Sequence, residues 1–327
     1  MEANLDYWDR TRFPRLQRII FDNTRDQKDA VELVKSREGV VDLVTGLRPL
    51  DTLRVAQSPF AKVVKSRENL WSLFGYLNMR KTASPWRDVR LRQAVNYAIN
   101  RGDLIRYAAK GNGVVIPALV PVGSSAYDPD LAPYSFDPAK ARELLREAGY
   151  PAGLSITLIV PEDLTVQATV VSKMLEQVGF MVQRQILDSE AYNRKVLLTF
   201  LDQPPEEQTW DIALMAKFDQ YDFPLFQSYF VNALGGAWDW AGEQPELRHL
   251  YEQALHTVDR ERQRALIHRM EQYTRDQAYF LFLYSPIQLY AVNKAVAFVP
   301  YISGVLDLAE TSVTDQHWSE RKTAMEQ

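Results

Sequence analysis

The chain has 327 residues, 46% of them hydrophobic and 24% charged, values that exclude a disordered chain or a fibre. At about 150 residues per domain the length predicts about two domains, and a chain of this size buries roughly three quarters of its unfolded surface. The formal net charge of −4 argues against nucleic acid or an anionic membrane as partner of the whole chain, and the absence of cysteine excludes disulfides, thiolate catalysis, iron–sulfur clusters and Cys-based zinc sites.

Met1-Glu2-Ala3-Asn4-Leu5-Asp6 has neither a basic nor an apolar signal region, so no signal peptide is expected. No apolar run reaches the roughly 18 residues of a membrane span, so no span is expected either. Leu16 to Phe21 reads as a strand, about Asp26 to Arg37 as a helix stopped by Gly39, and Val40 to Val44 as a second strand. Pro49 opens a short helix through Leu53 and Ala56, followed by strands over Ala61 to Lys65 and Leu70 to Asn78. Ser84-Pro85 and Asp88 start a helix carrying Leu91, Ala94, Val95, Ala98 and Ile99 inward. Gly102-Asp103 starts another helix, ended by Gly111-Asn112-Gly113. The prolines between 117 and 138 predict a long pinned crossing rather than a packed element.

From Asp137 the pattern is regular. Asp137 caps a helix with Pro138 at its first position, and Gly149 stops it. Strands at Leu154 to Val160, Phe180 to Leu187 and Trp210 to Ala216 alternate with helices at Thr165 to Val178 and Ser189 to Phe200. That alternation predicts βαβ units and a parallel sheet. Helices over about Pro245 to Val258 and Asp259 to Tyr273 follow, then strands over Phe280 to Tyr284 and Ile287 to Val292. The tail from about Gln316 is polar and reads as frayed.

Catalytic material is sparse. The histidines are His249, His256, His268 and His317; the first two share a helix face without a third ligand or an H-E-x-x-H spacing. No nucleophile elbow, P-loop or dinucleotide fingerprint is present. No enzyme, metal or cofactor is expected. The informative concentration is aromatic. Phe218, Tyr221, Phe223, Phe226, Tyr229, Phe230, Trp238 and Trp240 are eight aromatic residues in 23 positions, against two or three expected at 11%. Asp219, Asp222, Gly235-Gly236 and Asp239 interrupt them, and the segment leaves the carboxyl end of a strand, where open α/β sheets place ligands. Aromatic faces with a few carboxylates suit an amphipathic ligand carrying a positive group, while Phe226 and Phe230 fit local core packing.

Several ordered stretches resemble a known family: Asn4 to Trp8, Leu16 to Phe21, Gly39 to Leu43, Pro85-Trp86-Arg87-Asp88-Val89-Arg90-Leu91-Arg92-Gln93-Ala94 with Tyr97 to Arg101, and Asp137 to Ala141 through Glu147-Ala148-Gly149-Tyr150. They are similar to the dipeptide/oligopeptide/nickel class (family 5) of extracytoplasmic solute-binding proteins of ABC transporters, over residues 4 to about 312. In that family the Asn-x-Asp-Tyr-Trp element comes well inside the chain, so the resemblance implies a truncated or split form. It implies an α/β, periplasmic-binding-protein-like lobe with a mixed, mainly parallel sheet flanked by helices, plus a partial first lobe. Residues 1–78 would be the remnant of the first lobe, 79–285 the ligand-binding lobe, and 286–327 strands returning to the first lobe with a polar tail.

By the same resemblance Asp219 matches the aspartate that pairs with a peptide ammonium, and Asp222 the next acidic position. Phe223 intervenes before Pro224, and Lys217 stands where an aromatic is common. The candidate ligand set is Phe218, Asp219, Tyr221, Asp222, Trp238 and Trp240. The function implied is capture of peptides or similar small solutes and delivery to an ABC permease, with a separately encoded N-terminal half as a possible partner. The family implies the periplasm and the bare N-terminus the cytoplasm. A second reading makes the uncovered cleft face a scaffold or subunit interface.

Overall fold

Asp26, Asp88, Asn100, Asp137, Asp188 and Asp259 each accept a hydrogen bond from the backbone N–H two or three residues on, at 2.7–3.0 Å. Each satisfies a donor that the first turn of a helix leaves free. In the computed structural model, which describes all residues except 5, 10, 12, 13, 67, 199–203, 219–239, 243, 303, 305, 326 and 327, the helices are α1 (Gln27–Ser36), α2 (Thr52–Ala56), α3 (Val89–Tyr97), α4 (Arg101–Ala108), α5 (Pro138–Glu147), α6 (Thr165–Glu176), α7 (Ser189–Asn193), α8 (Pro245–Leu255), α9 (Arg260–Asp276) and α10 (Trp318–Met325). None of the described helices is long and apolar enough to cross a membrane.

The strands are β1 (Leu43–Val44), β2 (Ala61–Ser66), β3 (Trp71–Leu77), β4 (Gly113–Val114), β5 (Leu154–Pro161), β6 (Phe180–Leu187), β7 (Ile212–Phe218), β8 (Phe280–Pro286), β9 (Gln288–Asn293), β10 (Val296–Ala297) and β11 (Ser312–Val313). The chain divides into two units, one of Met1–Arg67 with Ile287–Gln327 and one of Glu68–Pro286. The expected boundary at 78 therefore moves: β3 is an inner strand of the larger unit, held between β8 and β7.

The larger unit is built on one six-stranded sheet of order β4-β8-β3-β7-β5-β6. The sheet is mixed, as expected. β5 pairs in parallel with β6 and β7, while β4–β8, β8–β3 and β3–β7 are antiparallel, so the parallel character belongs to one half only. Its core buries Trp86, Trp210, Trp240, Tyr76, Phe74, Phe180, Phe280 and Phe282. The proline-rich crossing has no regular element but is packed: Ala118, Leu119 and Val120 are buried, and the buried carboxylate of Glu271 on α9 accepts from the Leu119 and Val120 amides, both at 3.1 Å.

β4 covers only the end of β8, at Ser285 and Pro286. Along the rest of that side two side chains take the place of a strand. Asn96 on α3 donates to Phe280 O at 2.9 Å and accepts from Phe282 N at 3.0 Å. Arg101 at the start of α4 donates through Nε to Phe282 O at 3.0 Å and through its terminal nitrogens to Tyr134 O and the Asn96 side chain, both at 3.1 Å. Burial pushes the Arg101 guanidinium down to about 10. Arg92, also buried, donates to Gln277 O at 2.9 Å and Trp86 O at 2.7 Å and lies over the Tyr279 ring. The motif between Pro85 and Arg101 is thus a device that satisfies backbone carbonyls in the interior.

In the smaller unit β9 runs between β1 and β2, antiparallel to both. Val31, Val34, Val55 and Ala291 pack in one of its buried clusters, and Tyr290, Val292 and Phe298 in another. Two expectations fail here. Leu16 to Phe21 forms no strand: among the described residues its pairing is confined to an isolated antiparallel contact of Arg18 with Glu2, and Ile20 and Phe21 are exposed. The polar tail is not frayed at its start. His317 is buried, and Asp42 Oδ1 takes its Nε2 at 3.2 Å, Trp318 Nε1 at 3.3 Å and Asn293 Nδ2 at 3.1 Å, which docks the first turn of α10.

Candidate functional site

Strand direction collects several chain ends at one edge of the larger unit. β5, β6 and β7 run the same way, and β8 runs with them because both β7 and β8 are antiparallel to β3. Trp71 stands opposite Phe218, and Leu73 opposite both Ala216 and Tyr284, so the carboxyl ends of β7 and β8 lie beside the start of β3. Carboxyl ends of parallel strands are where an open α/β sheet leaves room for a ligand, since the connections part there.

The start of β3 is fixed by polar side chains. Asn69 donates to Pro286 O at 3.0 Å and accepts from Trp71 N at 2.9 Å. Ser72, opposite Lys217, donates to Leu119 O at 2.6 Å. Tyr192 of α7 donates its hydroxyl to Leu214 O at 2.5 Å, and Gln167 of α6 donates to Tyr284 Oη at 3.4 Å. Desolvation raises the phenol pKa of both tyrosines, so they stay neutral donors or acceptors. Among the described residues the buried Gln167 Oε1 and Ser285 Oγ, near this edge, carry no hydrogen bond.

Asp219, Tyr221, Asp222 and Trp238 lie outside the described residues. Phe218 is the last residue of β7, with its backbone in register with Trp71. Trp240 has a different position from the one expected. It is 1% exposed, its ring meets that of Trp210 edge to face at 4.5 Å, and its carbonyl accepts from Met79 N at 2.9 Å near the amino end of β7. Its indole is a core group that anchors the return of the chain, not a surface for a ligand. Sequence alone does not separate it from Trp238, two positions away. Gln167, Tyr284 and Ser285 were not singled out by sequence; the signal that points to them is their position at strand or helix ends on the carboxyl edge.

A cavity of about 600 Å³ lies elsewhere, beside α7, lined among others by Asp188, Glu190, Arg194, Lys195, Glu207 and Trp210. Its walls mix both signs of charge, and Arg194 and Glu190 pair with each other at 2.6 Å. It touches the amino-terminal side of β7 through Trp210 and shares no lining residue with the edge described above.

The family model of the bacterial extracellular solute-binding proteins, family 5 Middle, matches residues 1–238. The glutathione-binding protein GsiB of Escherichia coli K12 is 38% identical over 117 residues, which is 35% of this chain and 23% of GsiB. Among solved structures, the periplasmic binding protein DppA of Helicobacter pylori, in complex with the peptide STSA, superposes with a TM-score of 0.77 at 19% identity over 95% of this chain and 59% of that one. The substrate-binding protein CtaP of Listeria monocytogenes gives 0.80 at 18% identity over 96% and 63%. These likenesses show the fold, and the chain spans less than two thirds of the length of each of these proteins.

Proposed function

Because the chain belongs to the family 5 bacterial extracellular solute-binding proteins, we propose that it serves the non-covalent capture of peptides or similar small solutes and their delivery to an ABC-transporter permease in the periplasm. One observation carries the reading: the acidic and aromatic segment that follows Phe218 leaves the carboxyl edge of the sheet, where α/β folds bind ligands. The relatives support a peptide as the solute, since one is named for glutathione and another was solved with STSA.

In this reading Asp219 accepts the ligand's ammonium, Asp222 adds a second negative group, and the rings of Phe218, Tyr221 and Trp238 flank the backbone. Peptide main chain is held by strand-like pairing that is indifferent to side-chain identity. No bond is made or broken. Titration calorimetry of the chain with glutathione and with short peptides tests this. Measurable binding is expected, with an affinity that weakens about tenfold in Asp219→Asn, equivalent to about 1.4 kcal/mol. Silence with every peptide, or an unchanged affinity in the variant, overturns it.

A further inference from the structure

Of the two edges of the six-stranded sheet, β6 is the outer one on the parallel side, and no described strand pairs with its far side. It runs eight residues in unbroken register with β5, with no proline and no bulge. Met181 is 54% exposed and Ile186 48%, and Gln183 and Arg184 are exposed between them. Natural proteins blunt such edges with charge, proline or a bulge; here a single arginine stands at the centre.

The order of residues says what fits this edge. Met181-Val182-Gln183-Arg184-Gln185-Ile186-Leu187 reads the same in chemical character from either end, about Arg184. We propose that this edge is a self-pairing surface on which a second copy of the chain adds its own β6, antiparallel, about a twofold axis through Arg184. Such an axis stands perpendicular to the sheet and leaves its two faces in place. Opposed residues must then lie on the same face, which alternation along a strand allows only when their numbers differ by an even count. An axis through Arg184 meets that condition and sets Met181 against Leu187, Val182 against Ile186 and Gln183 against Gln185. Apolar meets apolar and amide meets amide throughout, which is the self-complementarity a twofold interface requires. An unrelated strand could use the same backbone but would have no use for the symmetry.

The one like-charge pair is already relieved. Arg184 Nη1 donates to Thr169 Oγ1 on α6 at 2.7 Å, which draws the guanidinium back over its own helix. On the opposite face Gln185 Oε1 accepts from Lys195 Nζ at 3.3 Å. The strand is thereby braced on both faces by its own chain, and no described strand takes its outer side.

The chain has no cysteine, so single cysteines report the register directly. Directly opposed residues of antiparallel strands have Cα atoms about 4.5–5.5 Å apart, within disulfide range. Under mild oxidation Arg184→Cys is expected to cross-link to itself, Gln183→Cys and Gln185→Cys alone to stay uncoupled, and the mixture of those two to form a heterodimer. Sedimentation of the parent is expected to show the mass rising toward twice that of the monomer with concentration, and Ile186→Lys to abolish that rise while melting like the parent. A parent that stays monomeric at every concentration, Gln183→Cys that cross-links as fast as Arg184→Cys, or a dimer indifferent to Ile186→Lys would overturn the proposal.

Discussion

Along the outer side of β8 the sheet ends against side chains: Asn96 and Arg101 reach Phe280 O, Phe282 N and Phe282 O, and two residues of β4 finish the rest. At the other end no described strand pairs with the outer side of β6, and Met181 and Ile186 are exposed. Both edges present the same backbone groups. They differ in what their neighbours supply, because α3 and α4 bring an amide and a guanidinium to β8, whereas α6 and the turn after α7 brace the faces of β6 and no described strand pairs with its outer side. Sheet edges are therefore closed by specific polar residues, and where those are lacking the fold retains a surface able to associate.

The largest effect comes from opening the closed edge. Replacing Arg101 by Met keeps volume but strips donors from Phe282 O and Tyr134 O, both buried. Orphaned buried acceptors cost about 1–3 kcal/mol each, so a loss of about 3–5 kcal/mol is expected by urea denaturation. A loss under 1 kcal/mol would mean that β8 closes without the guanidinium, and the contrast between the edges would fall.

A middle effect is expected at Glu271, which holds the crossing beside the closed half through two amides. Glu271→Gln keeps one acceptor oxygen but removes the charge that strengthens both bonds, at an expected cost of about 1–2 kcal/mol. Amide exchange at Leu119 and Val120 should accelerate in the variant. If exchange there stays at the parent rate while global stability drops, Glu271 supports α9 and not the crossing.

How much of this was legible beforehand follows from range. Capping residues act within one turn, so Asp88 and Asp137 announced their helices from sequence, whereas the start read at Gly102-Asp103 lies inside a helix that Asn100 caps. The alternation of strands and helices from Leu154 to Phe218 announced the parallel half for the same reason. The antiparallel half was not legible, because β3 and β8 are about 200 residues apart and nothing local says that they pair. Arg101 was legible only as the end of the Tyr97 to Arg101 motif, since the carbonyls of Phe282 and Tyr134 that it serves are distant in sequence. Trp240 was read as a ligand contact on aromatic density, yet density does not distinguish a ring that meets Trp210 from one that meets solvent. His317 read as part of a loose tail because its partner, Asp42, is at the other end of the chain.

The smallest effect concerns the seam between the halves, and it is one of pH. Asp211 precedes β7 and ties it to β5: its amide donates to Thr157 O at 3.0 Å, and its carboxylate accepts from Thr157 N at 2.7 Å. Burial raises its pKa above the ordinary 3.8, and the bond from Thr157 offsets this only in part. Below pH 3.8 the carboxyl is protonated in folded and unfolded chains alike, and the site costs nothing. As pH rises from there to the folded value the unfolded chain loses its proton first, so stability falls across that window and the penalty is complete above it. Asp211→Asn keeps an acceptor for Thr157 and cannot ionise. Its stability relative to the parent should rise through that window and level off above it, within about 1 kcal/mol at neutral pH. A relative stability that is flat from about pH 3 to 7 would mean that Asp211 is solvated well enough to ionise as it does in the unfolded chain, and that β5 and β7 are joined without a buried charge.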